Sequence, residues 1–478
     1  MHFVVWNEIF WYFCSHYYVF SSLVGKLIEM SNKTTVNLGN SRATFGTRLG
    51  ALAAAVGSAV GFGNIWRFPY MTGQNGGAAF LVIYVVSVLI LGVPLLIAEF
   101  CIGRSAHRNV VGAFRKVAPG THWYLVGILG LLVACLILGF YVVLSGWTLH
   151  ATWQALTNTM NGDDFHSFVS SPVEPLLWTV LAIIINVAIL LGGVQKGIER
   201  ASNIMMPILA VLLLILVGNS FFLPEFRKGM EFLFVPDWDK VSGRTWIDAM
   251  GQAFFSLSVA MGIMVAYGSY LSDNTKIGKT ALQVAGLDTL IAILAGIVIF
   301  PACFSFGVAP GEGSGLVFVT LPQVFNSMPF GWVMGLLFFL LVTLAGLTSC
   351  MSIFEVPISF LQEECHVSRR SAVIISAIWS LLLGIGCSLS MGIWSGFTIN
   401  GDVLFDFLDH ITARYMMPVC AFLTSLFVGW WLEREIIRNA ITNWRNDSGW
   451  YLRPLIILLR TVVPICILLI FLSGLGLL

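Results

Sequence analysis

From about residue 41 onward the chain is a succession of long apolar runs separated by short polar segments. A helix that crosses a bilayer needs about 20 consecutive apolar residues. Runs of about that length or longer fall near 48–70, 79–103, 122–155, 175–192, 200–223, 244–271, 281–308, 329–363, 369–392, 408–432 and 451–476. The pattern predicts eleven spans, several of them long enough to tilt, break or continue past the membrane.

Two runs are poor continuous helices. The first contains AAAVGSAVGFGNIWRFPY, in which Gly57, Gly61 and Gly63 are followed by Asn64, Arg67 and Pro69. Each Gly costs about 1 kcal/mol relative to Ala in a helix interior. The sixth contains GQAFFSLSVAMGIMVAYGSY, with Ser256 and Ser258 in its middle and Gly262 beyond them. Gly and Ser also permit tight packing between membrane helices. Here, however, the interruptions fall at matching positions of two five-helix halves. Irregular backbone at membrane depth is tolerated where it lines a cavity, and paired breaks point to a solute site.

Basic residues give the expected orientation. They cluster in alternate loops: Arg104, Arg108, Arg115 and Lys116; Lys196 and Arg200; Lys276 and Lys279; Arg369 and Arg370; Arg434, Arg438 and Arg445. The segment 224–245 is an exception, with Arg227, Lys228, Lys240 and Arg244. Basic loops stay cytoplasmic, so the amino terminus is expected inside and, with eleven spans, the carboxy terminus outside.

Composition agrees with a bilayer as solvent. Of 478 residues, 58% are hydrophobic and 10% charged; the mean hydropathy is +0.88. The net charge of +1 gives no basis for a nucleic-acid partner. The nine cysteines form no CxxC pair, so neither a disulfide framework nor a metal cluster is expected. Residues 1–40 are apolar and aromatic at their start but lack a basic start and a cleavage site. They read as an extension ahead of an initiator at Met30, the alternative being an interfacial or extra helix.

Asp288 lies inside the seventh run, roughly 13 Å deep at 1.5 Å per residue. An intramembrane carboxylate is costly unless partnered and is by default a functional candidate; a satisfied structural acid is the alternative.

With RLGALAAAVGSAVGFGNIWRFPY, the following NGGAAF, the FFSLS segment and LAGLTS in the eighth run, the sequence resembles the neurotransmitter:sodium symporter family over nearly all of residues 41–478. The resemblance implies an all-α polytopic membrane protein with two inverted five-helix repeats, about 45–223 and 244–432. Helices 1 and 6 would be broken, with an eleventh helix at about 451–476. It implies a bacterial sodium-dependent amino-acid symporter in the inner membrane, working by alternating access, with sodium ions and an amino acid as bound species and no enzymatic reaction. A sensor or an ion channel keeping the same site is the alternative. A membrane-embedded enzyme would need a nucleophile–base set or an acidic metal cluster, which the sequence does not offer.

Residue by residue, the resemblance places a first sodium at the Ala59 carbonyl, Asn64, Ser256 and Asp288, completed by the substrate carboxylate. A second would sit at the carbonyls of Gly57, Val60 and Ala345 with the hydroxyls of Thr348 and Ser349. On their own those hydroxyls also suit bonds to their own helix. The substrate pocket maps to Gly61, Phe62, Gly63, Asn64, Tyr141, Phe255, Ser256, Ser258, Met261, Ser349 and Ile353. Its apolar members favour a hydrophobic or aromatic side chain, and Gly61 disfavours monoamines, whose transporters carry Asp there. Asp288 stands where many relatives have Asn. With Tyr84 and Gln252 retained but Ala292 lacking a hydroxyl, chloride independence is expected. Gate pairs map to Arg67 with Asp409 (Asp406 competing) and, at the other end, Arg42 with Glu363 beside Tyr270 and Phe45. Gly197 and Pro207 match a pattern that permits local unwinding. Glu99 matches a glutamate supporting the break in helix 6, where Ala260 replaces the usual Gly. The oligomeric state is not legible.

Overall fold

Helices fill almost every apolar run picked out above. The computed structural model describes residues 43–307, 316–327, 330–442 and 450–474. The expected extension over 1–40 and the gate position Arg42 lie outside the described residues.

Among the described residues, eight helices are long and apolar enough to cross a membrane unbroken: span 2 (Ala78–Ala106), span 3 (Tyr124–Leu156), span 5 (Val194–Ser220), span 7 (Ile277–Ser305), span 8 (Gly331–Glu363), span 9 (Arg369–Ser390), span 10 (Leu404–Trp431) and span 11 (Leu452–Gly474). Span 1 is a ninth, made of Arg48–Ala59 and Gly63–Gln74 and bent by 47° at its break. The other two expected spans fall short as single helices. Span 4 (Glu174–Leu190) has 17 residues. Span 6 is split into Gly243–Ser256 and Ile263–Gly268. Every expected run therefore has a helical counterpart, and the two runs rich in Gly and Ser are the two that break.

The break in span 1 follows from its sequence. The first half ends at Ala59, and Val60 adopts an extended conformation (φ −72°, ψ 105°). The chain then re-enters a helix as a wide π-turn over Gly63–Arg67, with Pro69 near the start of the following α-helical turn. Pro69 has no N–H to lose there, which suits it to a helix start. The break in span 6 is sharper. Ser258 (φ 52°), Ala260 (φ 68°) and Gly262 (φ 75°) all occupy left-handed backbone. That conformation is natural for Gly262 but strained for Ala260.

Spans 3, 4, 8 and 9 pack on one another as one layer, with span 5 bridging span 8 to span 1. Spans 1, 2, 6 and 7 form the second group, packed around the two breaks. Short pieces outside the spans were not legible in the apolar pattern. These include the helices Val110–Val117, Phe165–Ser170, Phe226–Phe234, Leu321–Asn326 and Arg434–Thr442, and a two-stranded hairpin pairing Thr398 with Val403 and Ile399 with Asp402.

Candidate functional site at the two helix breaks

A helix that stops in a membrane leaves its last carbonyls without intrahelical partners. In span 1 these belong to residues 57–60, and side chains from spans 6 and 8 meet them. Ser349 Oγ lies 3.4 Å from the Gly57 carbonyl and 3.1 Å from those of Ser58 and Val60. Ser258 Oγ donates to the Ser58 carbonyl at 2.9 Å. Thr348 Oγ1 turns back on its own helix, 3.0 Å from the Leu344 and Ala345 carbonyls. One hydroxyl proton cannot serve three carbonyls well. The cluster is therefore rich in acceptors and short of donors, which is the imbalance that a cation corrects. Gly57 faces this cluster from one side; a Cβ there would lie 3.2 Å from Met206 Sδ of span 5 and 3.5 Å from Thr348 Cβ.

On the other side of the break sits Asp288, fully buried. Asn64 Nδ2 donates to its Oδ1 at 2.8 Å and to its backbone carbonyl at 3.0 Å. Ser256 Oγ donates to Oδ2 at 2.7 Å, and Tyr84 OH reaches the same oxygen at 3.3 Å. Asn64 Nδ2 also reaches Ser256 Oγ at 3.0 Å, while its Oδ1 accepts from the Gly61 amide at 3.1 Å. Asn64, Ser256 and Asp288 thus come together from spans 1, 6 and 7. All present hard oxygen atoms, the donor type an alkali cation takes. Each break is also braced. Gln252 Nε2 donates to the Gly63 carbonyl at 2.8 Å, and Glu99 Oε1 accepts from the strained Ala260 amide at 2.5 Å.

Between these two groups lies Gly61. A Cβ there would stand 2.4 Å from Ser349 Oγ and 2.7 Å from Tyr141 OH, so only glycine leaves room at this point. The Phe62 and Tyr141 rings pack 4.9 Å apart. Phe255 lies against Gly63, and Phe62, Met261 and Ile353 are buried. Of the expected pocket residues, Tyr141, Ser349, Phe62 and Phe255 are thus brought against the Gly61–Gly63 segment, while Met261 and Ile353 are buried. The hydroxyls of Ser258 and Ser349 are both engaged with span 1 carbonyls.

The outer gate residues are arranged differently from the expectation. Arg67 and Asp409 form no ion pair in the structure; the Arg67 guanidinium lies 4.5 Å over the Phe255 ring, capping the pocket. Both are half-buried and open to water, where such a pair is worth little and need not form. At the other end Glu363 accepts from the Asn109 amide at 2.8 Å and its side chain at 3.1 Å. Tyr270 OH donates to Glu355 at 2.6 Å, and Arg369 grips Glu355 with two nitrogens at 2.8 and 3.1 Å. Phe45 closes this end, donating its amide to the Tyr270 carbonyl at 3.0 Å and packing edge-on against Tyr267 and Tyr270. The Glu355–Arg369 pair is absent from the sequence reading. Its one signal is an acid in the middle of the otherwise apolar stretch CMSIFEVPI.

Two broken helices facing one another, with a buried carboxylate and a cluster of carbonyls sharing few donors at the breaks, mark a helical membrane protein of a recognisable class. The family model for the sodium:neurotransmitter symporter family matches residues 42–172 and 171–476, and the chain belongs to that family. It is therefore a sodium-dependent membrane transporter and not an enzyme. It is 36% identical over 439 residues to the uncharacterized sodium-dependent transporter YhdH of Bacillus subtilis, covering 90% of this chain and 97% of that protein. An uncharacterized sodium-dependent transporter of Haemophilus influenzae is 33% identical over 453 residues, covering 91% and 98%. Among solved structures, MhsT in complex with L-phenylalanine superposes with a TM-score of 0.84 at 41% identity, covering 91% of this chain and 100% of that one.

Proposed function

We propose that this protein imports amino acids, preferentially those with hydrophobic or aromatic side chains, by coupling them to sodium. The observation that carries this reading is the cluster of Asn64, Ser256 and Asp288 around the span 1 break, next to an apolar pocket. A sodium ion would be held by Ala59, Asn64, Ser256 and Asp288, with the amino-acid carboxylate completing its shell. A second ion would sit among the carbonyls of Gly57, Val60 and Ala345 and the hydroxyls of Thr348 and Ser349. Sharing a shell makes the coupling reciprocal: each species raises the affinity for the other. Tyr141 and the freed amides of span 1 would orient the carboxylate, while Phe62, Phe255, Met261 and Ile353 would take the side chain.

The negative charge of Asp288 removes the need for a bound anion, so transport does not depend on chloride. The basic loops support an orientation with the amino terminus and the Glu355–Arg369 end in the cytoplasm, in an inner membrane. Alternation then consists of spans 1, 2, 6 and 7 rocking against the rest. Arg67 over Phe255 closes the outer side, and the cluster around Glu355 and Glu363 closes the inner side. That MhsT has been solved with L-phenylalanine supports the choice of substrate class.

The test is uptake of labelled amino acids into proteoliposomes with and without an inward sodium gradient, in chloride and in gluconate. Concentrative uptake in sodium, equal in both anions, is expected. Uptake that needs no sodium overturns the reading; uptake that needs chloride overturns the anion claim.

A further inference from the structure

The foot of span 1 is capped by a residue far away in sequence. Glu199 is buried, and its Oε2 accepts from the Gly46 amide at 2.7 Å. Its Oε1 accepts from the Thr47 amide at 3.0 Å and the Thr47 hydroxyl at 2.9 Å. One helical turn earlier, Gln195 donates to the Thr44 carbonyl at 2.7 Å. The packing is close enough to dictate sequence: a Cβ on Gly50 would fall 2.0 Å from Glu199 Oε1. The helix Arg48–Ala59 has no acidic residue in its own first turn. The negative charge that complements its positive end is supplied by span 5. Among the described residues, no Lys or Arg forms an ion pair with Glu199, so its charge is met by the start of span 1.

Two further features make this contact more than a cap. Glu199 closes a π-helical turn, Val194–Glu199, a wide geometry that can re-register into a tighter one. Glu199, Ser202 and Met206 also fall on one face of span 5, at the i, i+3 and i+7 positions. Ser202 and Met206 are buried, and Met206 is the residue that lies against Gly57. One seam between spans 1 and 5 therefore runs from Glu199 to the carbonyl cluster, ten residues or roughly 15 Å up the helix from Thr47.

We propose that Glu199 is a positioning residue that latches the foot of span 1 to span 5 and so closes this seam to water at its open end. While the seam is closed, the buried carboxylate is held by the three donors at its exposed end, and the contact holds. Once the seam wets, water solvates both sides, and the half-helix is free to swing away. Release of the second ion then follows from breaking the latch. The inference rests on the proposed placing of that ion at Gly57 and Val60.

The test is hydrogen–deuterium exchange on the full-length protein in lipid nanodiscs, with sodium or potassium present, for the parent, Glu199→Ala and the milder Thr47→Ala. In parallel, sodium-dependent binding of labelled L-phenylalanine is measured on the same samples. For Glu199→Ala the exchange of amides 46–51 is expected to rise about tenfold, equivalent to about 1.4 kcal/mol. Exchange at 56–60 should rise with it, and the apparent sodium affinity for L-phenylalanine binding should fall severalfold. Thr47→Ala should move all three in the same direction by less, and stands in if Glu199→Ala does not fold. Faster exchange confined to 46–51, with 56–60 and sodium affinity unchanged, reduces Glu199 to a simple cap and overturns the proposal. Unchanged exchange at 46–51 also overturns it. If the parent protein binds no amino acid in sodium, the functional reading fails instead, and the exchange data still decide whether the latch exists.

Discussion

Asn64 and Asp288, 224 residues apart in the chain, are joined by a hydrogen bond of 2.8 Å from the Asn64 amide nitrogen to the Asp288 carboxylate. Asn64 is available for this contact because span 1 has stopped being a regular α-helix just before it, and Asp288 tolerates full burial because three side chains bond to it. Removing its charge while keeping its shape separates its two proposed roles. Asp288→Asn should lower apparent sodium affinity at least tenfold, a change of about 1.4 kcal/mol. Ala292 stands one helical turn further along span 7, so Asp288→Asn with Ala292→Ser offers an anion the hydroxyl it lacks. That double variant should regain uptake in chloride and remain poor in gluconate. Equal uptake in both anions for every variant contradicts the assignment of charge to Asp288.

Gly61 has room for a hydrogen and nothing larger. In Gly61→Ala the new methyl would overlap Ser349 Oγ and Tyr141 OH. Overpacking of this kind costs typically about 1–3 kcal/mol. The expected result is a loss of L-phenylalanine binding of about tenfold or more, with the protein still eluting as a single species on size exclusion. Unimpaired binding would show that the solute sits elsewhere.

Ala260 is a strained residue with an obvious remedy. Its left-handed backbone costs a non-glycine residue about 1–2 kcal/mol, and glycine returns part of that through a freer unfolded chain. Ala260→Gly should therefore raise the apparent melting temperature in detergent, while Ala260→Val should lower it. Because the change also enlarges the pocket region, Ala260→Gly should improve binding of L-tryptophan relative to L-leucine.

The Glu355–Arg369 pair belongs to a different class of interaction. Glu355 is wholly buried and is gripped by Arg369 and Tyr270. Breaking one member of such a pair leaves an uncompensated charge and costs about 3–5 kcal/mol. Arg369→Met should sharply lower thermal stability, and Glu355→Met together with Arg369→Met should recover most of it. If the double variant is stable but transports slowly in proteoliposomes, the pair serves gating; if it transports at the parental rate, the pair is structural only.

These cases also show what could be read in the sequence. The break in span 1 was legible because three glycines, an arginine and a proline cannot make an ordinary membrane helix. Asp288 was legible because a carboxylate inside an apolar run has few explanations. Ser349 was expected among the ligands, but its three-way contact with span 1 carbonyls needs the fold, since nothing local fixes which helix a hydroxyl will face. Glu199 stands in the polar stretch between two apolar runs with nothing in the sequence to single it out, since its partners Gly46 and Thr47 lie 153 and 152 positions away. The absent Arg67–Asp409 contact has the same origin. Opposite charges near one end of a bundle suggest a pair, yet an aromatic face offered by Phe255 competes, and only the packing decides between them. Arg42 lies outside the described residues, so the proposed contact with Glu363 is carried by sequence alone.

The central claim is that a sodium ion and an amino acid share one shell at the span 1 break. The most direct measurement is equilibrium binding of labelled L-phenylalanine to the purified protein across a sodium titration, with the ionic strength held by potassium. The account predicts binding that is negligible in potassium and tightens steadily as sodium rises, with Asp288→Asn shifting the curve to higher sodium. Binding of equal strength in potassium and sodium would contradict it.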